Sequence, residues 1–164
     1  MPTRLHSFAT RQLTPIPGDR RLYALDGVGT LRLTGWASRA ATAEAGGLAW
    51  QMTYRGLLQP VIQAADAAGA IAGEFRGRTL HRGGPLRWDG RELMVRPDSL
   101  WRERYVVVED DRRLATIEAK GWTRRPVNLR VDGAAELEPG LLLFAVYVVG
   151  TLAQSAPGVV VTAA

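Results

Sequence analysis

Hydrophobic and polar positions alternate in short runs over most of this 164-residue chain. In Leu48-Ala49-Trp50-Gln51-Met52-Thr53-Tyr54-Arg55, Leu48, Trp50, Met52 and Tyr54 share one face while Gln51, Thr53 and Arg55 share the other. That is the period of a half-buried strand. Residues 127–132 repeat the pattern. Shorter runs at 21–25, 30–36, 60–65, 70–76, 79–82, 86–88, 91–96, 99–101, 104–109 and 112–119 bring the expected strands to about twelve.

The connectors between these runs carry turn chemistry. Asp89-Gly90 is a two-residue turn of the kind that needs positive φ, and Asp110-Asp111 is a weaker version of it. Neighbouring strands are therefore expected to pair antiparallel. Gly46-Gly47, residues 66–69, Gly83-Gly84-Pro85 and Asp132-Gly133 punctuate the remaining runs. Residues 1–18, broken by Pro15, Pro17 and Gly18, read as an N-terminal arm without the apolar run of a secretory signal. A single domain is expected over 19–164, a size that buries one substantial core.

One segment departs from alternation. Leu141-Leu142-Leu143-Phe144-Ala145-Val146-Tyr147-Val148-Val149-Gly150-Thr151-Leu152-Ala153 is apolar all round. As a helix, about 13 residues rise about 20 Å, short of the roughly 30 Å of a bilayer core. A buried helix over 139–153 is expected, with Pro139 in its first turn behind Glu136 and Glu138. The β-branched Val146, Val148 and Val149 keep a strand open as the alternative. An open sheet would cover only one side of such a helix. A sheet closed around it covers every side and leaves no edge strand. The helix, about 10–12 Å across, needs a lumen wider than that of an eight-stranded barrel. The expected fold is thus mostly β: a closed antiparallel barrel of about twelve strands around a central hydrophobic C-terminal helix.

In order and content, the meander from about Arg21 to Asp132 followed by the late apolar helix resembles the tubby C-terminal-like superfamily. That superfamily holds the tubby domains, the plant LURP-one-related proteins and the phospholipid scramblases. The resemblance implies a barrel of about twelve strands around a hydrophobic helix. It also implies, loosely, phosphoinositide or membrane association through basic residues on the barrel exterior. The chain has no cysteine-rich acylation stretch, no acidic calcium loop and no Lys/Arg pair that aligns with the tubby headgroup site, so no family site residue is carried over.

Charge adds a partner class. The formal net charge is +5 and the isoelectric point about 10.4, and every basic residue but Lys120 is arginine. Such a balance suits phospholipid or nucleic acid, although scattered arginines that merely solvate a surface give the same total. Arg76, Arg78, Arg82 and Arg87 fall around Gly77, Gly83 and Gly84, where guanidinium groups and bare backbone can converge on a phosphate. Lys120, Trp122, Arg124 and Arg125 form a second candidate cluster, with Arg130 nearby and an indole suited to a membrane interface or a base. Trp36, Trp50, Trp88 and Trp101 are expected as core or rim packing.

The absence of cysteine excludes thiolate nucleophiles, thiolate metal sites and disulfides. Two histidines, His6 and His81, have no carboxylate orienter in sequence, and no Gly-Lys-Ser/Thr phosphate loop occurs. No metal or cofactor is expected, and an enzyme is the least favoured class. The expected function is a binding module for an anionic phospholipid or another phosphate-bearing ligand. A nucleic-acid binder using the same arginines and a protein-interaction domain stand as alternatives. A cytoplasmic monomer, soluble or peripheral to a membrane and without a transmembrane span, is the expected setting.

Overall fold

The computed structural model describes residues 10–34, 39–56, 58–78, 83–99, 103–118, 129–133 and 137–154. The strands are β1 (Arg11–Pro15), β2 (Leu22–Leu25), β3 (Gly29–Thr34), β4 (Ala40–Ala45), β5 (Leu48–Arg55), β6 (Val61–Asp66), β7 (Ile71–Arg76), β8 (Gly84–Trp88), β9 (Arg91–Ser99), β10 (Arg104–Glu109), β11 (Arg112–Glu118) and β12 (Leu129–Gly133), followed by α1 (Pro139–Gln154). Each strand pairs antiparallel with its sequence neighbour, and β1 pairs with both β2 and β12 to close a barrel. The expected turns form: Asp89 and Gly90 take φ of 44° and 80°, Asp110 and Asp111 take 47° and 61°. This left-handed geometry matches the twist of hairpin strands.

Two strands lie where alternation gave no sign of them. β1 falls inside the stretch expected as an arm, so that reading is corrected: the barrel begins by Arg11 and needs this strand to close. Its only large inward side chain is Leu13, 1% exposed and in register with Leu25 and Leu129. A single apolar position sets up no periodicity. β4 is written Ala40-Ala41-Thr42-Ala43-Glu44-Ala45, poor in the branched and aromatic residues that mark strands. Its inward positions are alanines because α1 lies closest to this side of the barrel, against β3 and β4. Conversely, Ser99 extends β9 rather than starting a strand of its own. The rest of the expected 99–101 run and the whole 79–82 run lie outside the described residues.

The apolar block is helical, and the helix is enclosed. From Leu141 to Val149 no residue is more than 1% exposed. The Glu138 carbonyl accepts the Leu142 amide at 2.9 Å, so Glu138 starts the helix from just outside its first turn. The buried Thr151 Oγ1 donates to the Tyr147 carbonyl at 2.8 Å, one turn back. Burial pushes the Tyr147 phenol well above its usual pKa. Trp50 and Trp88 sit inside with Phe144, ring centroids 5.8 Å apart for the two indoles and 5.6 Å for Trp88 and Phe144. These two tryptophans are core, as expected. Among the described residues, no helix is long and apolar enough to cross a membrane.

Because the barrel is a sequential meander, its connectors alternate between two ends. The turns after β2, β4, β6, β8, β10 and β12 lie at the end where α1 enters. The turns after β1, β3, β5, β7, β9 and β11 lie at the other.

A candidate anion-binding groove near the basic end

The outer faces of β7, β8 and β9 frame a concavity of about 770 Å³. Its floor is shaped by glycine. A Cβ on Gly83 would collide with the Val95 carbonyl, and one on Gly84 with the Arg76 carbonyl. The chain here passes so close to its neighbours that only bare backbone fits. The Arg78 amide donates to the Gly83 carbonyl at 3.0 Å, tying the end of β7 to the approach to β8. Since inward and outward positions alternate, Phe75, Leu86 and Val95 fill the barrel while Arg76, Arg87 and Arg96 point out into the groove.

The arginines of the groove differ in their electrostatic state. Arg76 Nε donates to Glu74 at 2.6 Å, and Gln63 Nε2 donates to the other oxygen of the same carboxylate at 2.8 Å. The Arg76 bond, then the Gln63 bond, hold Glu74 below the usual carboxylate range. Arg87 faces Glu92 across the hairpin at 3.7 Å, with both side chains well exposed. Arg78 and Arg96 are exposed and form no ion pair among the described residues. They flank Gly83 and Gly84, whereas Asp110 and Asp111, which form no ion pair among the described residues, belong to a turn at the opposite end of the barrel. The groove is thus balanced in total charge and polarised along its length.

That polarity extends to the whole barrel. At the end where α1 enters, the described connector residues include Asp26, Asp89, Asp110, Asp111 and Glu138 and no basic residue, while Arg91 and Arg112 open the strands that follow two of these turns. Turn geometry accounts for most of these acids. Asp89, Asp110 and Asp111 occupy positive φ, and the Asp66 carboxylate beside them accepts the Ala68 and Ala70 amides at 2.9 and 3.0 Å. Glu109, at the same rim, takes a two-pronged bond from Arg91 at 3.0 and 3.1 Å, which lowers its pKa.

The other end carries Arg20, Arg21, Arg39 and Arg78 in its described connectors, with Arg55 at the end of β5. Arginine has no turn-forming role, so backbone geometry does not explain this enrichment. Of the acids near this end, Glu103 in the connector before β10 forms no ion pair among the described residues, while Asp19, Asp98 and Glu118 are engaged. Asp19 caps the Arg21 amide at 3.0 Å and pairs with Arg32 at 2.6 Å. Asp98 and Glu118 each lie 3.7 Å from Arg104, and Arg113 reaches Asp98 at 3.3 Å. By contrast, Arg39, Arg55, Arg78 and Arg96 have no carboxylate partner among the described residues. Arg39 lies instead 5.8 Å over the Tyr54 ring.

Of the residues singled out in the sequence, Arg76, Arg78 and Arg87 do line one groove. Arg82, Lys120, Trp122, Arg124 and Arg125 lie outside the described residues, as do His6, His81, Trp36 and Trp101. Arg96 was missed. It is distant in sequence from Gly83, and only the pairing of β8 with β9, Gly84 opposite Val95, brings it alongside. The polarity of the two ends had a sequence signal, an excess of acid in every second connector and of arginine in the others. Among the described residues, no group of three or more His, Asp or Glu side chains converges as a metal site requires. Family models, curated proteins and solved structures contain no match to this chain.

Proposed function

We propose that this chain is a non-enzymatic binding module of tubby-like kind, which takes a phosphate-bearing anion near the basic end of its barrel. The observation that carries this reading is the position of Arg78 and Arg96. Two exposed guanidinium groups without carboxylate partners among the described residues stand on either side of the close-packed Gly83-Gly84 backbone. Guanidinium groups bind phosphate oxygens in two-pronged fashion, and those free of a carboxylate have no ion pair to give up. Arg76 and Arg87, already compensated, contribute less. The twelve-stranded barrel around a C-terminal helix is the arrangement that the tubby-like resemblance implies, and it supports that part of the proposal.

Phosphatidylserine and phosphatidylcholine vesicles, a salt series and soluble glycerophosphate as competitor test the reading. At about 1 kcal/mol for each arginine near an anionic surface, Arg78→Ala/Arg96→Ala lowers binding to phosphatidylserine vesicles about 30-fold. Arg87→Ala lowers it less than about threefold, because that side chain is already paired. Binding weakens as salt rises. A double variant that binds like the wild type overturns the proposal. Competition by glycerophosphate at millimolar concentration identifies the headgroup phosphate alone as the ligand, and its failure identifies the extended surface.

A further inference from the structure

Leu58 is the most exposed of the large hydrophobic side chains described, at 81%. It lies in the connector between β5 and β6, at the basic end. The turn that presents it is tightly built. Gly56 takes a φ of 95°, and a Cβ there would strike the Gln59 carbonyl. After the turn, the Pro60 carbonyl accepts the Gly77 amide at 2.7 Å, and a Cβ on Gly77 would run into the Pro60 ring. The Leu58 turn is therefore fastened to the residue preceding Arg78, with Arg55 on its other flank. Leu48 and Ile71 are also exposed, at 62% and 56%, but both stand at the acidic end beside Glu44 and Asp66.

Resting on the anion-binding reading above, we infer that the basic end is a bilayer-docking face, in which Leu58 enters the headgroup region while Arg55, Arg78 and Arg96 meet lipid phosphates. A soluble phosphate ester would use the arginines and leave Leu58 in water. An anionic bilayer is complementary to both features at once, because interfacial binding adds buried apolar area to electrostatic attraction. The charge polarity selects this end of the barrel over the other, since an anionic surface repels the Asp and Glu turns around Leu48 and Ile71.

The chain contains no cysteine, so Leu58→Cys creates a single site for an environment-sensitive fluorophore, and Ala68→Cys does the same at the acidic end. With phosphatidylserine vesicles, the label at 58 shifts to the blue and brightens severalfold, while the label at 68 does not change. With phosphatidylcholine alone, neither changes. Unlabelled Leu58→Ser binds phosphatidylserine vesicles about tenfold more weakly than wild type, the loss expected for one partly buried leucine. If wild type binds in an arginine-dependent manner but the label at 58 is silent and Leu58→Ser binds normally, the docking inference is overturned and the anion site stands. If the Arg78→Ala/Arg96→Ala variant also binds normally, the anion reading fails with it. A response at 68 instead of 58 overturns the orientation.

Discussion

Val146→Asp is expected to leave the chain unfolded under conditions where the wild type is native. Val146 is fully buried in the middle of α1, with barrel wall on every side. Ionised, the new carboxylate is cut off from bulk water, and no Lys or Arg is buried in that lumen among the described residues. Neutral, it is still a buried polar group without a partner, and it has replaced a methyl-bearing side chain. The combined cost of several kcal/mol reaches the range of 5–15 kcal/mol that holds a whole domain together. Circular dichroism and size-exclusion chromatography check this. Val146→Ala serves as the control: it removes two methyl groups without adding charge and should fold with a lowered melting temperature. A Val146→Asp protein that melts as the wild type does would mean that this face of the helix is not enclosed.

Gly140→Ala is expected to destabilise the protein by about 2 kcal/mol, within the usual cost of overpacking a dense core. On an exposed helix the same change is stabilising by up to about 1 kcal/mol, so the sign of the effect is informative. The reason lies at the entrance of the barrel. A Cβ on Gly140 would stand 2.7 Å from Cζ2 of both Trp50 and Trp88, two rings in tilted contact with each other. The Trp88 ring has no room to retreat. Behind Trp88, Gly73 leaves the space that the ring fills, with the site of its own missing Cβ 2.5 Å from Trp88 Cε3. Trp88→Phe removes one of the crowding atoms and opens space beside the Trp50 ring, so the double variant Gly140→Ala/Trp88→Phe should lose less than the sum of the single changes. The indole Nε1 of Trp88 has no hydrogen-bond partner among the described residues, so replacing it breaks no such bond. Denaturant unfolding of the four proteins measures the coupling, and strict additivity would contradict the packing described.

Where large apolar residues alternate with polar ones, the strands could be read from the chain. β5, with Trp50 and Met52 inward, and β9, with Leu93 and Val95 inward, are of this kind. The hairpin geometry was legible for the same local reason, because Asp89-Gly90 and Asp110-Asp111 are residues that tolerate positive φ. The closed architecture followed from one argument, that a helix apolar on all sides needs cover on all sides. What remained illegible is what the helix itself imposes from a distance. The alanines of β4 make room for α1, and a local pattern of small residues does not reveal which partner they admit. β1 is held by its two neighbours and one leucine rather than by a hydrophobic stripe. The groove was half legible: Arg76, Arg78 and Arg87 are close in sequence, whereas Arg96 joins them through strand register alone.

Closure also gives the charges their meaning. In a closed meander every second connector is at the same end, so acids and arginines that are interleaved along the chain separate in space. The acidic rim is largely a product of turn chemistry. The arginine-bearing rim is not, and Leu58 shares that end with it. Both functional inferences therefore depend on a barrel wrapped around its helix.

Amide hydrogen exchange across α1 examines that arrangement. With β-strands on all sides, the amides of residues 143–151 have no route to solvent short of global unfolding. They are predicted to be among the slowest in the chain, exchanging together at a rate that tracks the free energy of unfolding in denaturant. Helix amides that exchange early, at the pace of the hairpin tips and ahead of β3, β4 and β5, would contradict the enclosed helix and with it the sorting of charge between the two ends.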